Sequence, residues 1–297
     1  MNSNNVYVRS SKTIRTISLT RILFLLPIIL YGYYKNGIVL YMQNHMLLYL
    51  VKPLLILFGS IIISILINIF YEAIIKHNKK KIMDMIFSSF HVEYAIIMAC
   101  LTTTNVNLII YFSVLAIVLF ISKFIKNRVN IMSIIFIIIY LISIYTATFD
   151  YANTFEIITN VKLNLIDYIL GSNIGGLFAT NVLFIVIAYI GLSLTNNIKK
   201  SIPLYATISY IILSLIYYAI TKNNIYEMIF AYNYIFIFTY VITDSVTSCY
   251  TKNGTRLYGL LIGISTFGLY FVNPILAPYI SVLVISLFNN LIDRKLK

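Results

Sequence analysis

Tryptophan is absent from this chain of 297 residues, and charge is scarce: Asp, Glu, Lys and Arg together make up 10% of positions. A soluble domain has about 25% charged residues in its overall composition. With 60% hydrophobic residues and a mean hydropathy of +0.90, this chain falls outside that class. There are only two cysteines, Cys100 and Cys249, with no CxxC pair and no histidine at ligand spacing, which argues against zinc, iron–sulfur or haem sites held by this chain alone. The three histidines, His45, His77 and His91, are scattered near expected helix ends and read as wet interfacial residues. No GxGxxG, P-loop or hydrolase nucleophile constellation occurs, so any NADH oxidation must take place on another polypeptide.

What is present in quantity is oil. Apolar runs such as Ile22 to Tyr34, Leu54 to Tyr71, Val106 to Ile121, Ile131 to Tyr145 and Asn181 to Leu194 approach the ~20 residues that cross a bilayer as helix. The first 17 residues are polar and contain Arg9, Lys12 and Arg15, and no small-residue cleavage site follows. The first apolar run therefore reads as an uncleaved span. The 26 tyrosines and the wealth of Ile, Asn and Lys look like drift toward AT-rich codons, and interfacial anchoring is the default role of the tyrosines.

Ten spans are predicted, at about residues 18–36, 47–75, 88–104, 106–125, 130–148, 175–195, 202–221, 227–243, 257–272 and 275–292. With the N-terminus inside, the inner segments hold Arg9, Lys12, Arg15 and Arg21, then Lys76, Lys79, Lys80 and Lys81, then Lys123, Lys126 and Arg128. They continue with Lys199 and Lys200, with Lys252 and Arg256, and with Arg294, Lys295 and Lys297. The outer side keeps only Lys35, Lys52, Lys162 and Lys222. That asymmetry obeys the positive-inside rule at every loop and predicts a multi-pass cell-membrane protein with both termini cytoplasmic. It also accounts for most of the net charge of +13, together with anionic headgroups, so nucleic acid is not a predicted partner.

Five spans per half make any duplication an inverted one. The expected division is a first half at 1–148, an extracytoplasmic loop with a re-entrant segment at 149–174, and a second half at 175–297. The third and eighth spans are short and end in polar segments, LTTTNVN (Leu101 to Asn107) and ITDSVTSCYTKNG (Ile242 to Gly254). Irregular backbone at membrane depth is tolerated only against protein, water or a bound group, which marks both places as candidate sites. Thr102 to Thr104 are expected to hydrogen-bond across helices as packing glue. Glu72 is expected to neutralise Lys76 one turn later.

The stretch TDSVTSCYTKNGTRLYGLLIG, followed by ISLFNNLIDR, resembles the C-terminal third of the RnfD/NqrB family, membrane electron-transport proteins found in the Rnf complex and in the sodium-pumping NADH:quinone reductase. Thr243, Asp244, Val246, Thr247, Ser248, Lys252, Gly254, Arg256, Gly259 and Gly263 fall in register, as do Asn290 to Arg294. Upstream, Gly171, Gly175 and Gly176 fall in the glycine places of that family, and Glu72 and Lys123 match more weakly. The resemblance implies an all-α, polytopic protein of about ten helices with an inverted five-helix repeat. It further implies a non-catalytic or flavin-carrying subunit of an oxidoreductase or translocase complex, more than an enzyme on its own, with other complex subunits, and in some members quinone and a flavin-attaching enzyme, as partners. Coupling to ion movement belongs to the same implication.

The chain also departs from that pattern. The glycine-and-proline turn after the fourth span is FIKNRVNIMS here, and the segment that carries a glutamate in the family is LFATN. Family members carry FMN covalently on the threonine of an SGAT-like motif after the fifth span, where this chain has YTATFDYANTFE. Thr154 is the better positional match and Thr148 the better local one, and neither has the serine and glycine. Asp150 and Glu156 would repel a phosphate there unless Lys162 or a partner compensates. Two readings stay open for this loop, a flavin attachment site and a solvated loop whose threonines cap backbone. For the segment after the eighth span, Asp244, Ser245, Thr247 and Ser248 satisfy backbone amides in one reading, while Lys252 and Arg256 serve topology. In the other, Asp244, Thr247 and Arg256 sit beside a cofactor or ion route. The competing functional classes are a cofactor-free solute transporter or channel and a scaffold subunit that has lost its flavin.

Overall fold

A computed structural model describes residues 13–77, 81–125, 129–148, 151, 164–222 and 224–295. All regular secondary structure among the described residues is helical, with no strand among them. The helices are α1 (Ile14–Tyr33), α2 (Leu40–Asn44), α3 (Leu48–Phe70), α4 (Ile82–Ile86), α5 (His91–Leu101), α6 (Leu108–Ser122) and α7 (Ile131–Tyr145) in the first half. Between the halves lies α8 (Leu165–Ile169), and the second half contributes α9 (Val182–Leu194), α10 (Ser201–Thr221), α11 (Ile225–Phe230), α12 (Tyr234–Tyr240), α13 (Lys252–Tyr270), α14 (Ala277–Leu287) and α15 (Asn289–Lys295). π-helical turns at Tyr34–Val39 and Tyr71–Ile75 extend α1 and α3.

Local chemistry explains many of the boundaries. Asn107, Asn130, Asn181 and Asn224 each stand at the N-cap of a helix, where the side-chain oxygen accepts from backbone N–H groups that would otherwise lack partners. Thr251 does the same for α13 through the N–H of Gly254. The asparagines that punctuate the apolar runs are therefore helix starts.

Three helical stretches, Ile14–Asn44, Leu48–Ile75 and Ser201–Thr221, are long and apolar enough to cross a membrane, and several shorter apolar helices accompany them. Each of the ten expected spans has a helical counterpart, and the protein is a polytopic membrane protein. Two expected spans need correction. The span drawn at 227–243 is two helices, α11 and α12, because Tyr232 and Asn233 adopt left-handed backbone between them (φ 58° and 61°). The span drawn from 175 begins at Val182, because the preceding residues are non-helical.

The distribution of polarity is inside-out relative to a soluble protein. Leu23, Leu30, Ile109, Leu194 and Ile220 are exposed, whereas Ser18, Ser60, Ser64, Ser133, Ser143 and Ser214 are buried between helices. Ser60, Ser214 and Ser281 donate to the carbonyl four residues earlier, which removes the hydroxyl's need for water. Gly259 and Gly263, four apart on α13, let it close on α10: a Cβ at Gly259 would lie 2.6 Å from the Ile202 carbonyl oxygen, and one at Gly263 would collide with Ser209 and Ala206.

The two halves repeat one packing scheme. α3 packs on α4, α5 and α6, and α6 on α7; correspondingly α10 packs on α11, α12 and α13, and α13 on α14. α1 meets α5 as α9 meets α12, and the halves join where α1 meets α9 and α7 meets α14. Contacts between helix ends fix the relative direction. Arg21, early in α1, reaches the carbonyls of Tyr240 and Thr243 at the end of α12, while Asn36, beyond the end of α1, reaches the Leu177 carbonyl before α9. Asn130 at the start of α7 also reaches the end of α12, and Tyr140 near the end of α7 meets Asn273 before α14. α1 and α9, and α7 and α14, are thus antiparallel, as an inverted repeat requires. The side holding Arg21 is called the arginine face below, and the opposite side the glycine face.

Candidate functional site

The two interrupted helices, α5 and α12, lie at the centre of the bundle, and each interruption leaves backbone groups that need partners. On the glycine face these partners are supplied by residues 171–181. The N–H of Leu177 donates to the Thr102 carbonyl at 2.7 Å and that of Phe178 to Cys100 at 3.1 Å, which satisfies the end of α5. The same segment accepts from the Tyr232 N–H through Ile174, and Asn233 Oδ1 accepts from the Gly176 N–H at 3.1 Å. Gly176 is required by proximity, since a Cβ would lie 2.7 Å from the carbonyl oxygens of both Cys100 and Leu101. One non-helical segment therefore closes the break after α5 and the break before α12.

The expectation that Thr102 to Thr104 bond across helices needs correction. The Thr102 and Thr103 hydroxyls have no hydrogen-bond partner among the described residues; the bridge runs through the Thr102 carbonyl.

On the arginine face the partner is a buried side chain. The Arg21 guanidinium donates to the Tyr240 carbonyl at 2.6 Å and to Thr243 at 3.2 Å, both released by the end of α12. Its Nε lies 2.7 Å from Glu93 Oε1 in an ion pair whose side chains are both about 1% exposed. The charge pattern alone assigned Arg21 to the N-terminal loop cations; its position on α1 instead turns it into the bundle. Glu93 was missed altogether. An acid inside the apolar run HVEYAIIMACL is rare enough at membrane depth to have marked it.

Asp244 and Thr247 come together beside this pair. Asp244 Oδ1 accepts from the Tyr94 hydroxyl at 2.7 Å, and Oδ2 accepts from the Thr247 hydroxyl at 2.9 Å. Asn130 donates to the Val241 carbonyl at 3.1 Å and to Thr247 Oγ1 at 3.3 Å, tying the start of α7 to the segment. Asn289 donates to the Thr247 carbonyl, and Lys199 to Ser248 and to the Cys249 carbonyl. Asp293 accepts from the N–H groups of Tyr250 and Thr251, each at 3.0 Å. The polar stretch after α12 is thus held from α1, α5, α7, α15 and the segment before α10.

A cleft of about 270 Å³ opens on Asp244, Tyr94 and Thr247 from the arginine face, and its far walls are Glu72, Lys76, Ser88, Ser89, His91 and Lys123. His91 is buried, contrary to the wet interfacial role expected of it, with Nε2 2.9 Å from the Ser122 hydroxyl. His45 and His77 are exposed. Glu72 and Lys76 form the expected pair at 3.0 Å. His91 Nδ1 and Ser88 Oγ, in residues that line the cleft, are themselves buried without a hydrogen-bond partner among the described residues.

The other expected site residues lie elsewhere. Arg256 is exposed on α13, and no described contact joins it to Asp244. Thr148 is half-buried beyond the end of α7, where its hydroxyl meets that of Thr146 at 2.8 Å. Fifteen residues of α7, about 22 Å of helix, separate it from Asn130 and the cleft. Thr154 lies outside the described residues, as do Asp150, Glu156 and Lys162.

These observations bear on an FMN. At Thr148 the fit is poor, since the hydroxyl is engaged in a local cap and no glycine opens the turn. At the cleft the polar lining of Asp244, Tyr94, Thr247, His91 and Ser88 suits the polar edge of a planar heteroaromatic ring. The cleft's volume is slightly below the ~300 Å³ at which whole-ligand pockets begin, so it accommodates an edge of such a group.

Among groups that could hold a metal, no cluster of three or more His, Cys, Asp or Glu occurs in the described residues. A family model described as NQR2, RnfD, RnfE family matches residues 1–297. No curated protein matches the chain significantly.

Proposed function

The chain belongs to the NQR2, RnfD, RnfE family of membrane subunits of electron-transport complexes, and from that premise we propose that it positions a flavin for electron transfer across the membrane, with the arginine-face cleft receiving the polar edge of the carrier. The observation that carries this reading is that Asp244, Tyr94, Thr247, His91 and Ser88 line one cleft at the broken end of α12. A flavin supplies the redox chemistry in such a subunit; the protein's residues bind it and set its surroundings. In this reading the arginine face is cytoplasmic, both termini lie there, the membrane is the cell membrane, and 1–148 and 175–297 are the two halves flanking an extracytoplasmic loop and re-entrant segment at 149–174. Thr154 remains the candidate for a second, covalently held FMN, and Arg256 the candidate for contact with a neighbouring subunit or the headgroups. Quinone and a flavin-attaching enzyme are further proposed partners.

The test is to express the chain with its neighbouring complex subunits and a flavin-attaching enzyme, then measure acid-extractable and covalently retained flavin per subunit. Extractable flavin that falls in Asp244→Asn supports the cleft as a carrier site. Retained flavin abolished by Thr154→Ala or Thr148→Ala identifies a covalent site. Full expression with neither flavin would leave the scaffold or the cofactor-free transporter.

One observation favours a second reading. Asp244 is buried and takes part in none of the described ion pairs, which also suits a cation passing the cleft. A cation-dependent flux in flavin-free vesicles would select that alternative.

A further inference from the structure

A second depression lies on the lipid-facing side of α3 and α6. Leu66, Phe70 and Ala73 on one side and Ala116, Ile117 and Phe120 on the other enclose a groove of about 630 Å³ between α3 and α6. It turns outward: Leu66, Phe70 and Ile117 are all exposed. In a polytopic chain this surface meets lipid, so the groove is a place for hydrocarbon.

Three features specify which hydrocarbon. First, the groove's length fits. From Leu66 to Ile74 the wall runs for roughly 12 Å at helical rise, close to the ~15 Å of hydrocarbon in one leaflet. Second, both walls lead to the arginine face and end on lysines. Lys76 follows the π-helical turn that extends α3, and Lys123 follows α6 directly. Their ammonium groups lie 5.0 and 5.2 Å from the ring centre of Tyr71, two and three residues beyond the last groove-lining positions Ile74 and Phe120; both lysines also line the arginine-face cleft, where Lys123 donates to Ser89 Oγ at 2.9 Å. Third, the segments 76–81 and 123–128 together hold seven basic residues and no acid. Glu72 offsets part of this charge by pairing with Lys76 at 3.0 Å, and the local balance stays positive.

We propose that the groove holds an acyl chain of an anionic phospholipid, with the phosphate drawn to Lys76 and Lys123. The pair Phe70–Phe120, 6.2 Å between ring centres, joins the two walls of the groove, and Tyr71–Phe124, at 5.6 Å, joins the same two helical stretches just beyond it. A lipid seated there would link the ends of α3 and α6, which also wall the neighbouring cleft.

The test titrates the purified full-length chain in detergent with phosphatidylglycerol or with phosphatidylcholine of identical acyl chains, and counts retained lipid by native mass spectrometry. One phosphatidylglycerol should be retained at concentrations where phosphatidylcholine is not. Lys76→Gln and Lys123→Gln should each weaken phosphatidylglycerol by about fivefold and leave phosphatidylcholine unchanged. Ala116→Phe, which fills the groove without altering charge, should weaken both lipids. Equal retention of the two lipids, a preference surviving in the double lysine variant, or displacement of the lipid by inorganic phosphate at equal concentration would each overturn the proposal. The lysine variants and the groove variant act on different walls, so misfolding of one leaves the other decisive.

Discussion

Arg21 and Glu93 face each other at 2.7 Å inside the bundle, and the same guanidinium closes the carbonyls of Tyr240 and Thr243 at the broken end of α12. One side chain therefore joins α1, α5 and α12. Removing Arg21 alone leaves a buried carboxylate and two open carbonyls, at a cost of about 3–5 kcal/mol. Arg21→Met should lower the thermal midpoint in detergent sharply, and the double variant Arg21→Met with Glu93→Leu should recover part of the loss. A double variant no more stable than the single would mean that the carbonyl contacts, not the ion pair, dominate.

Asp244 holds three groups at once: the Tyr94 and Thr247 hydroxyls and the Val246 N–H. Asp244→Asn keeps an acceptor and should fold with near-native stability. Asp244→Ala orphans buried donors and should cost about 1–3 kcal/mol, read as a lowered midpoint on size-exclusion thermal challenge. Equal stability of the two variants would contradict a supporting role for the carboxylate.

Glycines on α13 differ in what surrounds them. Gly263 abuts Ser209 and Ala206 of α10, whereas a methyl group placed on Gly268 would meet nothing within 4 Å. Gly263→Val should destabilise by about 1–3 kcal/mol through overpacking. Gly268→Ala should be neutral or stabilising by up to ~1 kcal/mol. Both follow from one series of melting curves.

Asp293 supplies a pH dependence at the chain's end. Burial opposes its ionisation, but the N–H groups of Thr251 and Tyr250 and the Thr251 hydroxyl outweigh that effect and hold the carboxyl below its ordinary value. Its folded pKa is depressed, so its contribution is present above the unfolded value of about 3.9 and is lost as pH falls through the folded one. The native chain should lose stability more steeply than Asp293→Asn between about pH 4 and 2, measured as thermal midpoint against pH.

The expected glue of Thr102 to Thr104, the interfacial His91 and the loop cation Arg21 each failed for the same reason. Composition near a helix end says how polar a segment is, and it does not say which way a side chain points. Glu72 and Lys76, four apart on one helical turn, were legible because their partners are local. Asp244 and Thr247 were legible as a pair three residues apart, whereas Tyr94 and Asn130, which complete their surroundings, come from chain positions more than a hundred residues away.

The amino-acid sequence by itself determined the membrane class, the approximate positions of the helical spans and the polar breaks after the third and the eighth, but not the break at Tyr232 and Asn233. Lipid offers backbone groups no partners, so hydropathy and polar interruptions act segment by segment. Tertiary structure alone decided how those breaks are closed: by the N–H groups of Leu177 and Phe178 on one face and by Arg21 on the other. These partners meet only when two antiparallel halves pack, and the free energy that selects them belongs to buried donors and carbonyls brought together from distant parts of the chain.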